Sequence, residues 1–106
     1  MELGMPEYVD REQLSEILSL EVAVLPEPES LWWTEHRLDP FPARFDQRWH
    51  YVVARDGDSV LFFADDEDEF ARGTLKSDSE IENYSLVGDL IDAVRAFLGS
   101  QTRRDA

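Results

Sequence analysis

The chain has 106 residues, 42% of them apolar, no cysteine, and 24 acidic against 10 basic side chains for a net charge of −14. That length suits one domain with a single core, and the lack of cysteine excludes a disulfide framework, a thiolate metal site and a cysteine nucleophile. The charge is spread evenly, with 11 acidic and 4 basic residues up to Val53 and 13 and 6 after it; it disfavours direct binding to nucleic acid or an anionic membrane and favours encounter with a basic partner.

Residues 1–9 contain Gly4 and Pro6 and read as a loosely ordered N-terminus. They show neither a basic start nor an apolar signal region, and no run approaches the roughly 20 apolar residues that span a bilayer, so a cytoplasmic location is expected. Asp10, three residues before Gln13, has the spacing of a capping box. It opens a helix predicted over Arg11 to about Leu20, with Leu14, Ile17 and Leu18 on one face. Val22 to Leu25 could extend this helix or form a short β segment, and Pro26 and Pro28 end it either way. Leu31 to Leu38 is predicted as an edge strand, which would send Trp32 and Trp33 to opposite faces. Asp39 to Gln47, with two prolines and two phenylalanines, is expected to be a loop covering a sheet edge or face.

Arg48 to Asp65 reads as two strands joined at Asp56-Gly57, the strongest short-range hairpin signal. Placing Arg55 opposite Asp58 pairs Val53 with Val60, Val52 with Leu61 and Tyr51 with Phe62. One face then carries Trp49, Tyr51, Val53, Val60, Phe62 and Ala64 as the core. The other mixes Val52, Ala54, Leu61 and Phe63 with Arg48, His50, Ser59 and Asp65, and needs cover from the chain itself or from a partner. Phe70 to Ser77 is a third antiparallel strand, with Ala64 opposite Ala71 and with Ala71, Gly73 and Leu75 on the core face. Ser77 to Asn83 is a polar connection that includes a short strand near Glu80 to Tyr84. Ser85 is placed as the cap of a final helix carrying Val87, Leu90, Ile91, Val94, Phe97 and Leu98, with Gly99 as its stop. The expected fold is a two-layer α+β domain over residues 10–99: a helix, a three- or four-stranded antiparallel sheet, a C-terminal helix, and then a frayed polar tail over 100–106.

Two segments stand out as candidate sites. The run Asp65, Asp66, Glu67, Asp68, Glu69 supplies hard oxygen ligands but lacks the ligand spacing and mid-loop glycine of an EF-hand, so no metal is assigned to it. It is either a solvated loop that serves solubility or a set of spaced carboxylates that occupies the basic groove of a partner. Trp32, Trp33, Phe41 and Phe45 lie close to Arg37, Arg44 and Arg48, a composition that marks binding hot spots as well as cores. His36 and His50 have carboxylates nearby in sequence at Glu35, Asp39 and Asp46, but no catalytic motif, phosphate loop or zinc signature accompanies them. No catalytic residue, cofactor or metal is therefore assigned.

These features predict a small acidic non-enzymatic antagonist, bacterial in style. It would be a toxin-immunity protein or a nucleic-acid mimic that inhibits a basic-surfaced partner such as a nuclease or nucleic-acid-binding protein. Asp65 to Glu69, helped by Asp56, Asp58, Glu80 and Glu82, would steer the encounter, and an aromatic between Trp32 and Phe45 would anchor it. In size, charge and order of elements the chain resembles small acidic immunity proteins, without a shared motif. The alternative is an interaction or scaffold domain that forms a homodimer or docks on a larger assembly through an apolar sheet face. A third reading is a small enzyme or metal-dependent protein built on His36 or His50.

Overall fold

Three helices and five strands account for most of the chain that the computed structural model describes, residues 9–45 and 47–105, with side chains over 9–45 and 47–99. The expectation of a loose N-terminus falls almost wholly outside the described residues. Helix α1 spans Arg11–Ala23. Its capping box forms as expected: the Gln13 amide donates to Asp10 Oδ1 at 2.8 Å and the Asp10 amide donates to Gln13 Oε1 at 3.0 Å. Val22 extends this helix instead of forming a strand.

Glu29–His36 is a second helix, α2, where a strand was expected. Trp32 and Trp33 explain the difference. On a strand they would face opposite ways, but on a helix neighbouring residues share one broad sector, and both are buried, at 3% and 7% exposure. Trp32 stacks on His36 one turn later, with ring centroids 4.3 Å apart, and its other contact is Phe97 at 4.8 Å.

The strands are β1 (Arg37–Phe45), β2 (Arg48–Asp56), β3 (Ser59–Ala64), β4 (Glu69–Ser77) and β5 (Glu80–Gly88). The expected covering loop at 39–47 is largely strand β1. Pro40 falls where the pairing with β2 is irregular, between Arg37 and Phe41, while Pro42 pairs opposite Tyr51; β1 pairs with β5 at Arg44 opposite Glu80. The chain is α+β, as expected, with five strands instead of three or four. They form an antiparallel meander whose ends meet in a parallel contact, so that the sheet closes as a barrel.

The β2–β3 turn sits one residue later than predicted. Gly57 and Asp58 are its central residues, closed by Asp56 opposite Ser59, and only Gly57 has positive φ, at 66°. That is the backbone of a type II′ turn, which wants glycine first, and not of type I′. Moving the turn shifts the pairing by two positions, which leaves each side chain on its expected face. An irregularity between Val52 and Ala54 then does what the turn did not. A bulge there puts Val53 and Ala54 on the same side and exchanges the faces of the residues before it.

Two cores result. The interior of the barrel holds Ala43, Val52, Val60, Phe62, Ala64, Ala71 and Ile81. The outer face of the sheet packs Tyr51, Val53, Ala54, Leu61, Phe63 and Phe70 against Leu14, Trp32, Trp33, Leu90, Ala93, Val94 and Phe97 from the helices. Tyr51 and Val53 thus leave the expected core face, and Val52 joins Val60 and Phe62 inside. Ala71 and Leu75 line the interior as predicted, although Ala71 pairs with Phe62 and Ala64 with Glu69. Gly73 is where the wall comes closest to itself: a Cβ there would lie 2.6 Å from Ile81 Cγ2 and 2.8 Å from the Asn83 carbonyl oxygen.

Helix α3 runs Leu90–Asp105. It begins later than predicted, because Ser85 belongs to β5, and it continues past Gly99, the predicted stop, into the segment expected to fray. Asp89 precedes its first turn, and Asp92 reaches back to accept from the Asp89 amide at 3.2 Å. Glu21 of α1 accepts from the Leu90 amide at 3.0 Å, so one helix satisfies the open N-terminus of another. Among the described residues, no helix is long and apolar enough to cross a membrane.

Candidate site at the acidic turn of the barrel

The turn Asp65 to Asp68 joins β3 to β4 at the end of the barrel where β2 begins. Ala64 and Glu69 pair across its base, the Glu67 amide donates to the Ala64 carbonyl at 3.0 Å, and Asp68 takes φ 57°. Aspartate tolerates that left-handed position because its short side chain can bond locally. The run of five acids therefore does not behave as one unit. Asp66, Glu67 and Asp68 face solvent, Glu69 is half-buried at the start of β4, and Asp65 turns inward with its side chain 1% exposed.

Asp65 meets two residues from the first turn of β2. Arg48 Nη2 donates to Asp65 Oδ1 at 3.4 Å, and Arg48 Nε lies 3.7 Å from Asp66 Oδ2. His50 is 1% exposed and places Nδ1 3.7 Å from the same Asp65 oxygen. That nitrogen is buried and has no hydrogen-bond partner. The ring lies among aromatics of the barrel interior, 5.3 Å from Phe62 and 5.8 Å from Tyr84, and Tyr84 in turn stacks on Phe45 at 4.9 Å. Ligand atoms of His50, Asp65 and Asp66 all lie within 4.8 Å of one another, a grouping able to hold a metal ion.

Burial dominates the electrostatics here. It lowers the His50 pKa below the ordinary 6.5, against the opposing pull of the Asp65 and Asp66 charges. The imidazole is thereby kept neutral near pH 7, with a free lone pair or a single N–H to offer. Burial, followed by the carboxylates of Asp66 and Glu67, pushes the Tyr84 hydroxyl up to about 12. A neutral imidazole, an inward carboxylate and a bridging guanidinium make a polar cluster at the mouth of an apolar barrel. Buried polar groups of this kind are normally fully paired, and His50 Nδ1 is one of the buried atoms that is not.

The other sequence-predicted site residues lie elsewhere. Trp32 and Trp33 are buried inside the helix-covered core. Phe41 and Phe45 are half-buried and pack against the barrel interior. Asp56 and Asp58 lie at the opposite end of the β2–β3 hairpin and face partners of their own, the His36 ring at 3.9 Å and the Arg55 guanidinium at 3.8 Å. Glu80 pairs with Arg44 at 3.1 Å. His36 Nδ1 donates to the Trp32 carbonyl, 2.8 Å away, at the end of α2, and is not part of the polar cluster. Sequence reasoning had Arg48, His50 and Asp65 on one sheet face and singled out His50 and Asp65 separately, but did not join them in one cluster. It placed Tyr84 at the end of a short predicted strand but assigned it to no site.

Comparison of the chain with protein-family models, with curated proteins and with solved structures gives no match to any of them.

Proposed function

We propose that this protein is a small acidic antagonist that captures a basic-surfaced protein in the cytoplasm, as a toxin-immunity protein or a nucleic-acid mimic would. One observation carries this reading. Glu67, Asp68 and Glu69 stand at a barrel end on a short, internally bonded turn, and no ion pair within the described residues engages them. Carboxylates held on a fixed backbone and free of internal cations offer their full charge to a partner, and the net charge of −14 adds long-range steering. We read the helices as a layer on one side of the barrel, where α1 borders the turn at Asp68 and Glu67 stays exposed. With Trp32 and Trp33 buried, the anchor beside the turn has to come from the half-buried Phe45.

The alternative, a homodimer or scaffold contact through an apolar sheet face, has less to work with. Val52, Leu61 and Phe63 are 0%, 0% and 2% exposed and already packed within the chain. Capture from native lysate at low salt tests the proposal. A basic nuclease or nucleic-acid-binding protein should be retained, released as salt rises, and lost when Glu67, Asp68 and Glu69 are all changed to Lys. Retention of the same partner by that variant, or binding indifferent to salt, would overturn it.

A further inference from the structure

We propose that His50, Asp65 and Asp66 form a site for a divalent cation of the zinc class, backed by the apolar barrel interior and open to solvent on the Asp66 side. The site stands apart from partner capture and needs no partner to be tested. The placement of three donors from two elements is the first ground. His50 enters from β2, while Asp65 and Asp66 come from the turn after β3, and their ligand atoms lie within 4.8 Å of one another. A tetrahedral ion with ligands at about 2.1 Å separates its donors by roughly 3.4 Å. The observed 3.7 Å between His50 Nδ1 and Asp65 Oδ1 is already near that value. Asp66, exposed on the turn, needs only a side-chain rotation to close the third edge.

The second ground is independent of the carboxylates. His50 Nδ1 is shut away from water without a hydrogen-bond partner and lies beside the Asp65 carboxylate. Leaving a buried polar atom unpaired costs free energy that a bond to a metal would recover. Imidazole as a ligand also selects the ion: it suits zinc and its first-row neighbours, whereas magnesium and calcium take oxygen alone. Two carboxylates balance the charge of a divalent ion, and the remaining coordination position opens to water.

Arg48 is the competing cation. Its guanidinium holds Asp65 Oδ1 at 3.4 Å and approaches Asp66 Oδ2 at 3.7 Å, so a metal has to move it outward. This makes a sharp expectation: Arg48→Gln should tighten metal binding, where the loss of a merely supporting residue would weaken it.

The experiment is titration of the metal-free full chain with Zn²⁺, and with Co²⁺ as an absorbing probe, followed by calorimetry and visible spectroscopy. One Zn²⁺ should bind per chain, with Mg²⁺ unable to compete at equal concentration, and Co²⁺ should show the intense bands of a four-coordinate site. Asp66→Asn, at an exposed position that leaves the fold intact, should weaken binding at least about tenfold, the lower end of what even outer-sphere changes cost. His50→Ala should abolish it, and Glu67→Gln with Asp68→Asn should leave it unchanged. If His50→Ala fails to fold, nitrogen-detected NMR of the native imidazole replaces it, and Nδ1 should shift on adding Zn²⁺. Equal affinity for Mg²⁺ and Zn²⁺, an unshifted imidazole, or equal weakening by the Glu67 and Asp68 changes would each overturn the proposal.

Discussion

The two cores of this small barrel differ in how their buried polar groups are grouped. On the helix side the buried polar atoms are scattered: Arg95 holds Glu29 at 2.9 Å and keeps its carboxyl below the ordinary range, Glu21 closes the N-terminus of α3, and Glu29 Oε1, Trp32 Nε1 and Tyr51 Oη have no hydrogen-bond partner. Inside the barrel, a histidine and an aspartate are carried into the end of the cavity, and the histidine nitrogen is left unmatched. Apolar packing alone would have closed that end with less difficulty. The contrast is one of grouping: the unmatched atoms of the helix side lie on two aromatic side chains and one paired carboxylate, whereas the barrel end gathers an imidazole, a guanidinium and two carboxylates in one place, which is where local rules are expected to be broken.

The first way to break the comparison is to remove packing from each core. Phe62→Ala should lower stability by about 3–5 kcal/mol and Leu90→Ala by about 2–5 kcal/mol, since both are fully buried. Because Tyr51 and Val52 are adjacent residues serving different cores, both variants should shift one cooperative denaturant transition. Two separated transitions for barrel and helices would show that the cores are independent.

Gly73→Ala is next in size. Its Cβ would meet Ile81 and the Asn83 carbonyl at distances that cannot be kept, and overpacking of this sort costs about 1–3 kcal/mol. An unchanged denaturation midpoint would mean that the barrel wall yields more readily than its geometry suggests. Smaller again is Asp10→Ala, which strips the cap from α1 and should cost about 1 kcal/mol. Its effect should appear equally in helical circular dichroism and in the global midpoint, because α1 contributes Leu14 to the helix-side core.

The last prediction is read as a slope. His50 has a folded pKa below 6.5. As pH falls below about 6.5, the unfolded chain takes up a proton that the folded chain resists, so stability is full above that pH and declines below it. Between about pH 7.5 and pH 5.5, the native protein should lose more stability than His50→Gln, which does not titrate there. Parallel slopes for the two proteins would show that the barrel end is as accommodating to charge as the helix side.

Much of the fold could be read from short stretches. The capping box at Asp10 and Gln13, the Gly57 turn, the alternation through β3 and β4, and the apolar stripe from Leu90 to Phe97 each depend on neighbours within a few residues. So does the placing of Arg48 and His50 on one face, because a strand alternates whatever surrounds it; that Asp65 joins them does not, since the bulge at Val53 puts those two out of phase with it. The misreadings came where alternatives were locally equivalent. Leu31 to Leu38 is apolar enough for either a strand or a helix, and burial of both tryptophans against Phe97 decided for the helix. The Pro-rich segment after it became β1 because β2 and β5 were there to pair with it.

Sequence by itself determined an acidic α+β chain, its long helices, the central hairpin and the acidic turn that follows it, since these rest on composition and local periodicity. Tertiary structure alone decided the bulge at Val53, the closure of β1 on β5 and the burial of His50 beneath Asp65. Each of those exchanges one set of neighbours for another without changing any local pattern. The choice between them is made by contacts between residues far apart in the chain, and only the closed barrel brings those contacts together.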